Sequence, residues 1–119
     1  MAEAHDTGKM GEELARAYFE SNGYEVLETN WQSNHQEIDI IASKAGTLVI
    51  VEVKTRKTSH FGEPETFVNR QKQKMLIKAA NHYVISKGVD QAVRFDIVSV
   101  LLQGDQHRLN HIEDAFYPY

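Results

Sequence analysis

Apolar and polar residues in the first third of the chain follow a pattern that predicts one helix and two strands. Over residues 8–21 apolar side chains recur at helical spacing, and Asn22-Gly23 then provides a helix stop. The apolar positions of this helix are Met10, Leu14, Ala17 and Tyr18. We expect a short strand over 24–28, a polar turn over 30–36, and a half-buried strand over 37–43, where apolar and polar residues at first alternate.

A continuous apolar run in the middle of the chain predicts a central strand. Residues 47–54 (TLVIVEVK) are rich in β-branched side chains, which is typical of a strand covered on both faces. The segment 44–46 (KAG) predicts a tight connection to the strand before it. Residues 55–65 lose this periodicity and contain Gly62 and Pro64, so we expect a mobile loop there.

The second half of the chain predicts a long helix and two more strands. The helix is expected over 67–86, with Thr66 as its N-cap and Lys87-Gly88 as its end. Its expected buried face comprises Val68, Met75, Leu76, Ala79, Ala80 and Tyr83. Strands are expected over 93–102 and 107–112. The order α-β-β-β-α-β-β predicts an α/β fold with a mixed central sheet flanked by helices.

The composition indicates which class of protein this is and excludes some kinds of site. The 119 residues suit one domain, with about 1–7 and 117–119 expected to be flexible, and 41% apolar with 25% charged residues is typical of a globular chain. The absence of cysteine excludes disulfides and thiolate zinc sites. The longest aliphatic run is four residues and the first dozen residues do not resemble a signal peptide. We therefore expect a cytoplasmic protein without a membrane span.

Charge is distributed unevenly along the chain. The net charge is −4, yet residues 54–78 hold seven basic and two acidic residues, so the rest of the chain is strongly acidic. The basic residues are Lys54, Arg56, Lys57, Arg70, Lys72, Lys74 and Lys78. Such a segment can face the phosphates of a nucleic acid. It can also be an ordinary solvated loop and helix face, and charge alone favours that interpretation.

Acidic residues interrupt two of the predicted strands. Residues two apart in a strand share a face, so Glu37 lies beside Asp39, and Glu52 lies beside Lys54. Glu52 stands in an apolar strand, where an unpaired carboxylate costs several kcal/mol. An exposed sheet face is the ordinary explanation for any single strand carboxylate. If the two strands pair antiparallel, however, Asp39 and Glu52 come together at one end of the sheet.

Converging carboxylates predict a site for a hard divalent cation. Magnesium or manganese binds oxygen ligands, and magnesium keeps several waters while it binds one or two acids and a substrate phosphate. Lys54 would face the same site and could serve an attacking water or a scissile phosphate. Glu12 on the first helix could supply a third carboxylate, although glutamate is common on helix surfaces.

Two short motifs resemble the PD-(D/E)XK nuclease signature. These are E-I-D-I-I at 37–41 and V-E-V-K-T-R at 51–56. The chain also resembles, from about residue 8 to residue 117, the small bacterial YraN family, which is allied to archaeal Holliday-junction resolvases. The further features that carry this resemblance are Gly11-Glu12, Gly23-Tyr24, Asn30-Trp31, Phe61-Gly62, the segment 70–74, Arg94-Phe95-Asp96 and Asp114-Ala115-Phe116.

The resemblance implies a restriction-endonuclease-like fold and roles for individual residues. Asp39 and Glu52 match the metal-binding acids, Val53 would lend its backbone carbonyl, and Lys54 matches the catalytic lysine. Glu12 matches the helix-borne acid of the resolvases. The roles of Lys72 and Gln71 on the second helix and of Glu37 are less defined. His35-Gln36 stands where the family commonly has glycine, so His35 could reach the site.

The expected function is therefore a metal-dependent endonuclease that acts on DNA, selective for a junction or a flap. Backbone phosphates would be tracked by Arg56, Lys57, Arg70, Lys72 and Lys74. Such contacts give affinity without reading sequence. A two-fold dimer would suit paired cuts, and Trp31 could stack on a base, although packing over the sheet edge is its ordinary role. The alternative is a catalytically silent nuclease fold that binds nucleic acid or a protein partner.

Overall fold

The computed structural model describes residues 3–57 and 68–118, which form two helices and one five-stranded sheet. The elements are α1 (Glu3–Ser21), β1 (Glu25–Ser33), β2 (Gln36–Lys44), β3 (Thr47–Lys57), α2 (Arg70–Lys87), β4 (Ala92–Gln103) and β5 (Gln106–Phe116). The sheet has the order β1-β2-β3-β4-β5. β3 and β4 are parallel, and the other neighbouring pairs are antiparallel. The predicted α/β fold with a mixed sheet is confirmed.

The two helices cover opposite faces of the sheet. In β3, Leu48 and Ile50 belong to the apolar cluster that packs under α2, whereas Val49 and Val51 belong to the cluster under α1. This explains why the sequence of β3 is apolar at successive positions rather than at alternate ones. Within the described part of the chain, neither helix is long and apolar enough to cross a membrane.

The buried stripe of α1 is shifted from the one that its apolar residues predict, although the predicted Leu14 and Tyr18 still pack partly buried against the core. Gly11, Ala15 and Phe19 are buried at four-residue spacing, whereas Met10 is 49% exposed. A Cβ atom added to Gly11 would lie 2.8 Å from the Cβ of Thr55, closer than side chains approach. Because Gly11 has no side chain, α1 can lie directly against β3. The helix therefore faces the sheet with Gly11, Ala15 and Phe19.

Two strands extend into segments that were predicted to be irregular. The turn expected over 30–36 is wrong for most of its length, because β1 continues to Ser33 and β2 starts at Gln36. The two residues between them, Asn34-His35, both have positive φ, as a tight hairpin turn requires. β3 continues to Lys57, so the first three residues of the predicted loop are strand. The remainder of that loop lies outside the described residues.

α2 begins later than its sequence pattern predicts. Asn69 is the N-cap, and its side-chain oxygen accepts the backbone N–H of Lys72 at 2.8 Å. Thr66, the expected cap, lies outside the described residues. The predicted stop is confirmed, since Gly88 ends the helix in the left-handed conformation. Met75 is 37% exposed rather than part of the buried face.

Candidate metal centre

Two acidic side chains meet where the β2–β3 ladder ends. The ladder pairs Ile40 with Val51, and the next positions along the two antiparallel strands are Asp39 and Glu52. The Asp39 carboxylate accepts the backbone N–H of Val53 at 2.8 Å. The predicted proximity of the two acids is confirmed, because the register that a tight hairpin sets leaves them opposite each other.

Burial raises the pKa values of both acids, and the charge of Glu52 raises that of Asp39 further. Burial, and then the charge of Glu52, raise the pKa of Asp39 to about 8, although the Val53 N–H acts in the opposite direction. Burial also raises the pKa of Glu52, and the positive charges of Lys72 and then Lys54 oppose that shift. The two acids therefore retain a proton near neutral pH unless a cation lies between them.

Two more carboxylates flank Asp39 on the side of α1. Single oxygens from Glu12, Glu37 and Asp39 lie within 4.8 Å of one another. The Asn30 side-chain N–H₂ donates to Glu12 at 3.0 Å and to Glu37 at 2.9 Å, so one amide holds both acids in place. Asn30 has a φ of 50°, a left-handed conformation that asparagine adopts more readily than most residues. Glu12 thus lies beside Asp39, and its role as a metal ligand remains a prediction.

Asn30 is a site residue that the sequence did not reveal. We assigned it to a polar turn, and the motif that it forms with Trp31 entered only as part of the family resemblance. No local sequence signal identifies it, because its role depends on acids that come from α1 and β2. Asn30 stands inside a strand, where its side chain points to the acids while that of Trp31 packs against the core cluster on the other face.

Lysines approach Glu52 from the side of α2. The Lys72 ammonium lies 3.7 Å from the Glu52 carboxylate, and the Lys72 side chain is 40% exposed. Lys54, two residues after Glu52 on β3, is close enough for its charge to lower the Glu52 pKa. Lys72 therefore belongs to the carboxylate site itself, whereas the sequence predicted for it a contact with phosphates or an undefined polar role.

The other basic residues border this site on exposed surface. Arg70, Gln71 and Lys74 are exposed on the first turns of α2. Basic side chains at a helix N-terminus oppose the helix dipole, so helix stability does not explain them. Arg56 and Lys57 are exposed at the end of β3. They line a groove of about 380 Å³ together with Thr7, Gly8, Glu12, Val53 and Thr55.

In the described part of the chain, His35 is not among the ligand groups that converge with Asp39. It is exposed in the β1–β2 turn with a φ of 67°. The converging group among residues 3–57 and 68–118 consists of Glu12, Glu37 and Asp39, and Glu52, which lies opposite Asp39 on β3, is also outside it. Contact of His35 with the site, and a role for the Val53 carbonyl, remain predictions.

A buried charge network ties α1 to β4 and β5. Asp96 is 1% exposed and accepts two hydrogen bonds from Arg94, at 2.9 and 2.8 Å, and lies 2.7 Å from the His111 ring. Burial acts to raise the pKa of Asp96, but hydrogen bonds from His111 and Arg94 hold it below its usual value. Tyr18 of α1 reaches His111 at 2.9 Å, and Arg94 reaches Tyr24 at 2.7 Å. The network therefore anchors the helix that carries Glu12.

Comparison with known proteins places the chain in a family. Residues 11–100 match the model of the uncharacterised protein family UPF0102. A UPF0102 protein of Flavobacterium psychrophilum is 49% identical over 119 residues, which cover 100% of both chains. Another from Bacteroides thetaiotaomicron is 45% identical over 118 residues, covering 99% of this chain and 98% of the relative. A third, from Porphyromonas gingivalis, is 42% identical over 118 residues, covering 98% of this chain and 87% of the relative. The resemblance to the YraN family is thus confirmed, and the chain belongs to the UPF0102 family.

Proposed function

We propose that the protein is a metal-dependent nuclease that hydrolyses phosphodiester bonds of nucleic acid. The observation that carries the proposal is the group of acids at one end of the sheet. Asp39 converges there with Glu12 and Glu37, Glu52 occupies the position of β3 opposite Asp39, and Lys54 and Lys72 lie near Glu52. The relation to PD-(D/E)XK nucleases that the sequence motifs imply assigns the same acids and the same lysine. A purely structural role does not account for a partly buried group of acids with raised pKa values.

The donor set fits a hard divalent cation. All of the converging ligands are oxygens, and burial together with the charge of Glu52 raises the pKa of Asp39 to about 8, a shift that a bound cation would oppose. Asp39 and Glu52 would hold magnesium or manganese, with Glu12 and Glu37 within reach. When bound, such an ion stabilises the charge that develops on the phosphate and lowers the pKa of a bound water.

The residues of the chain then have distinct roles in hydrolysis. Lys54 would orient the attacking water, whose oxygen forms a bond to phosphorus while the phosphorus–oxygen bond to the leaving nucleotide breaks. The attacking water releases a proton to solvent, the leaving oxygen takes up a proton and becomes a hydroxyl group, and the other product is a phosphate monoester. Asn30 would keep Glu12 and Glu37 oriented during this step.

The surface around the site suits a phosphate backbone. Exposed basic residues lie on two elements that border the carboxylates, Arg56 and Lys57 on β3 and Arg70 and Lys74 on α2. Contacts with phosphates position a nucleic acid without reading its sequence. We therefore propose DNA of particular shape, a junction or a flap, as the substrate, and a homodimer where two strands are cut.

Cleavage of a labelled panel tests this function. The panel comprises a four-way junction, a flap, a single strand, a duplex and RNA, each with magnesium, manganese or EDTA. Asp39→Asn and Lys54→Ala are compared with Asp105→Asn and Lys9→Ala, which make the same chemical changes outside the site. Metal-dependent cleavage that only the first two variants lose is the expected result. Salt-sensitive binding without cleavage would establish the silent accessory role, and folded protein that neither binds nor cuts would refute both.

A further inference from the structure

A groove lies on the α2 side of the sheet, between the edge strand β1 and the second half of α2. Its volume is about 330 Å³, and it is lined by Trp31, Ser33, His82, Ile85 and Ser86. This volume is at the small end of the range for ligand pockets, so the groove suits a single ring system rather than a large cofactor.

The lining of the groove has the character of a base-binding site. The Trp31 ring is supported from one side by Tyr83, which it meets edge-on at a centroid distance of 5.1 Å. Ile85 is 70% exposed, so an apolar side chain next to the indole is left uncovered. His82 and Ser33, which are 3.0 Å apart, add polar groups at the rim. Aromatic side chains with a polar rim are what single-stranded nucleic acids stack on.

The groove is connected to the carboxylate site by a basic helix. α2 runs from Lys72, beside Glu52 on β3, to His82, beside Ser33 on β1. These ten residues of helix span about 15 Å. The sequence of α2 contains no acidic residue. Its exposed lysines between the two points, Lys74 and Lys78, leave a positively charged path along which a phosphate backbone can lie.

We propose that this groove receives one unpaired base of the substrate strand. A stacked strand advances about 3.4 Å per nucleotide, so the base would lie about four nucleotides or fewer from the scissile phosphate. The position of that phosphate rests on the proposed nuclease function, whereas the binding of a base does not. The groove thus assigns the substrate class as nucleic acid with unpaired nucleotides next to the cleavage point.

Trp31 is the single tryptophan of the chain, so its fluorescence reports on the groove directly. The Asp39→Asn protein is titrated with an oligothymidylate of eight nucleotides and with an abasic strand of the same length and charge. We expect the oligothymidylate to quench Trp31 and to bind at least about fivefold more tightly, the effect of one stacked base. Equal affinities, or an unchanged Trp31 signal, would overturn the proposal, as would failure of both strands to bind.

Substitution of Ile85 provides a second measurement that does not depend on folding of the core. Because Ile85 is 70% exposed, Ile85→Ser leaves the fold intact and is expected to remove most of the preference for the strand with bases. Met10→Ser, at a side chain 49% exposed on the other helix, is the matched control and should preserve the preference. If Ile85→Ser also preserves it, the groove does not bind a base.

Parallel cleavage assays separate this proposal from the nuclease proposal. Metal-dependent cleavage by the wild-type protein, combined with equal affinity for the two strands, would refute only the role of the groove. Base-dependent quenching of Trp31 by a wild-type protein that cleaves no member of the panel would refute only the nuclease function.

Discussion

The backbone N–H of Val53 donates to the Asp39 carboxylate across 2.8 Å, two residues beyond the last paired position of β3 with β2. The Asp39 side chain thus accepts the hydrogen bond of a backbone N–H just beyond the point where the two strands stop pairing. The contact fixes one oxygen of Asp39 against the strand that carries Glu52 and Lys54. Asp39 is also partly buried and lies close to other carboxylates. The raised pKa that results makes the stability of the protein depend on pH.

Asp39→Asn is expected to increase the free energy of unfolding at pH 8. An aspartate in the unfolded chain has a pKa of about 3.9, and the pKa of Asp39 in the folded protein is about 8. The folded state therefore binds a proton more tightly, so the wild-type protein loses stability as the pH rises from about 4 to about 8. Asparagine does not titrate, and its side-chain oxygen can still accept the Val53 N–H.

Urea denaturation in EDTA at pH 5 and pH 8 measures this effect. The advantage of Asp39→Asn over the wild type should grow between these pH values by more than about 1 kcal/mol, the equivalent of one pKa unit. Asp105→Asn, in the β4–β5 turn, is the control and should differ from the wild type equally at both pH values. An advantage of Asp39→Asn that does not change with pH would contradict the raised pKa.

The pairing of Asp39 with Glu52 could be predicted from the sequence, because it depends on local rules. The side-chain period of a strand and the short hairpin connection define which residues lie opposite each other. The buried stripe of α1 could not be predicted in this way. It depends on the contact between Gly11 and Thr55, which are 44 positions apart, and that contact overrides the apolar pattern within the helix.

Individual polar residues show the same contrast between features that local sequence determines and features that depend on distant contacts. Asn30 was not identified because its role depends on two acids from different elements and on a left-handed backbone within a strand. Asp96 could have been identified. It interrupts the apolar run of β4 as Glu52 interrupts that of β3, and the cost of burying a carboxylate applies equally to both. The two acids differ in the closeness of their partners: Arg94 and His111 lie 2.8 and 2.7 Å from Asp96, whereas Lys72 lies 3.7 Å from Glu52.

Asn30→Asp is expected to destabilise the metal-free protein and to strengthen its binding of divalent cations. The new carboxylate would face Glu12 and Glu37 at the distances where the amide now donates, 3.0 and 2.9 Å. Like charges at this range repel, and a cation relieves the repulsion. We expect a loss of about 1–2 kcal/mol in EDTA, the cost of leaving hydrogen-bonded groups without their donor.

Thermal unfolding with and without magnesium tests the Asn30 prediction. Magnesium should raise the melting temperature of Asn30→Asp more than that of the wild type. Asn30→Gly, which keeps the left-handed backbone accessible, is the control for lost hydrogen bonds without added charge. If magnesium stabilises Asn30→Asp and Asn30→Gly equally, the new carboxylate does not share a cation with Glu12 and Glu37.

Lys72→Met is expected to tighten metal binding while it weakens binding of nucleic acid. The Lys72 ammonium lies 3.7 Å from the Glu52 carboxylate and competes with a cation for it. Its removal leaves Glu52 with more uncompensated charge, so manganese should bind several-fold more tightly in titration calorimetry. Lys74→Met, which removes the same charge from an exposed position of α2, should leave metal affinity unchanged. Weaker manganese binding by Lys72→Met would show that the lysine supports the metal site instead.

Asp96→Asn is expected to destabilise the fold strongly near neutral pH. Its carboxylate compensates the charge of Arg94 in the sheet interior, and removal of one partner of a buried pair costs about 3–5 kcal/mol. Because the pKa of Asp96 is lowered, its contribution is present above the unfolded value of about 3.9 and decreases as the pH falls below it. Urea denaturation at pH 7 and pH 3 should show a smaller difference from the wild type at pH 3, where part of this contribution is lost. Glu113→Gln, which removes a 60% exposed partner of Arg94 at 3.6 Å, should change stability by less than about 1 kcal/mol.

Gly11→Ala is expected to destabilise the protein by about 1–3 kcal/mol, the usual cost of overpacking. The added Cβ would overlap the Thr55 side chain, at 2.8 Å from its Cβ, and the backbone of Thr55 is held by its pairing with Val100 of β4. α1 must then shift outward, and Glu12, the next residue, shifts with it. Metal affinity and any cleavage should therefore decrease together with stability.

Gly8→Ala separates this steric effect from the general preference of helices for alanine. A Cβ on Gly8 has no neighbour within 4 Å, so this change one turn earlier in α1 should stabilise the protein by up to about 1 kcal/mol. Thr55→Gly combined with Gly11→Ala removes the overlapping atoms. It should restore metal affinity to the level of Thr55→Gly alone, even though glycine weakens the strand. If the double variant remains as impaired as Gly11→Ala, then the close approach of α1 to β3 is not what positions Glu12.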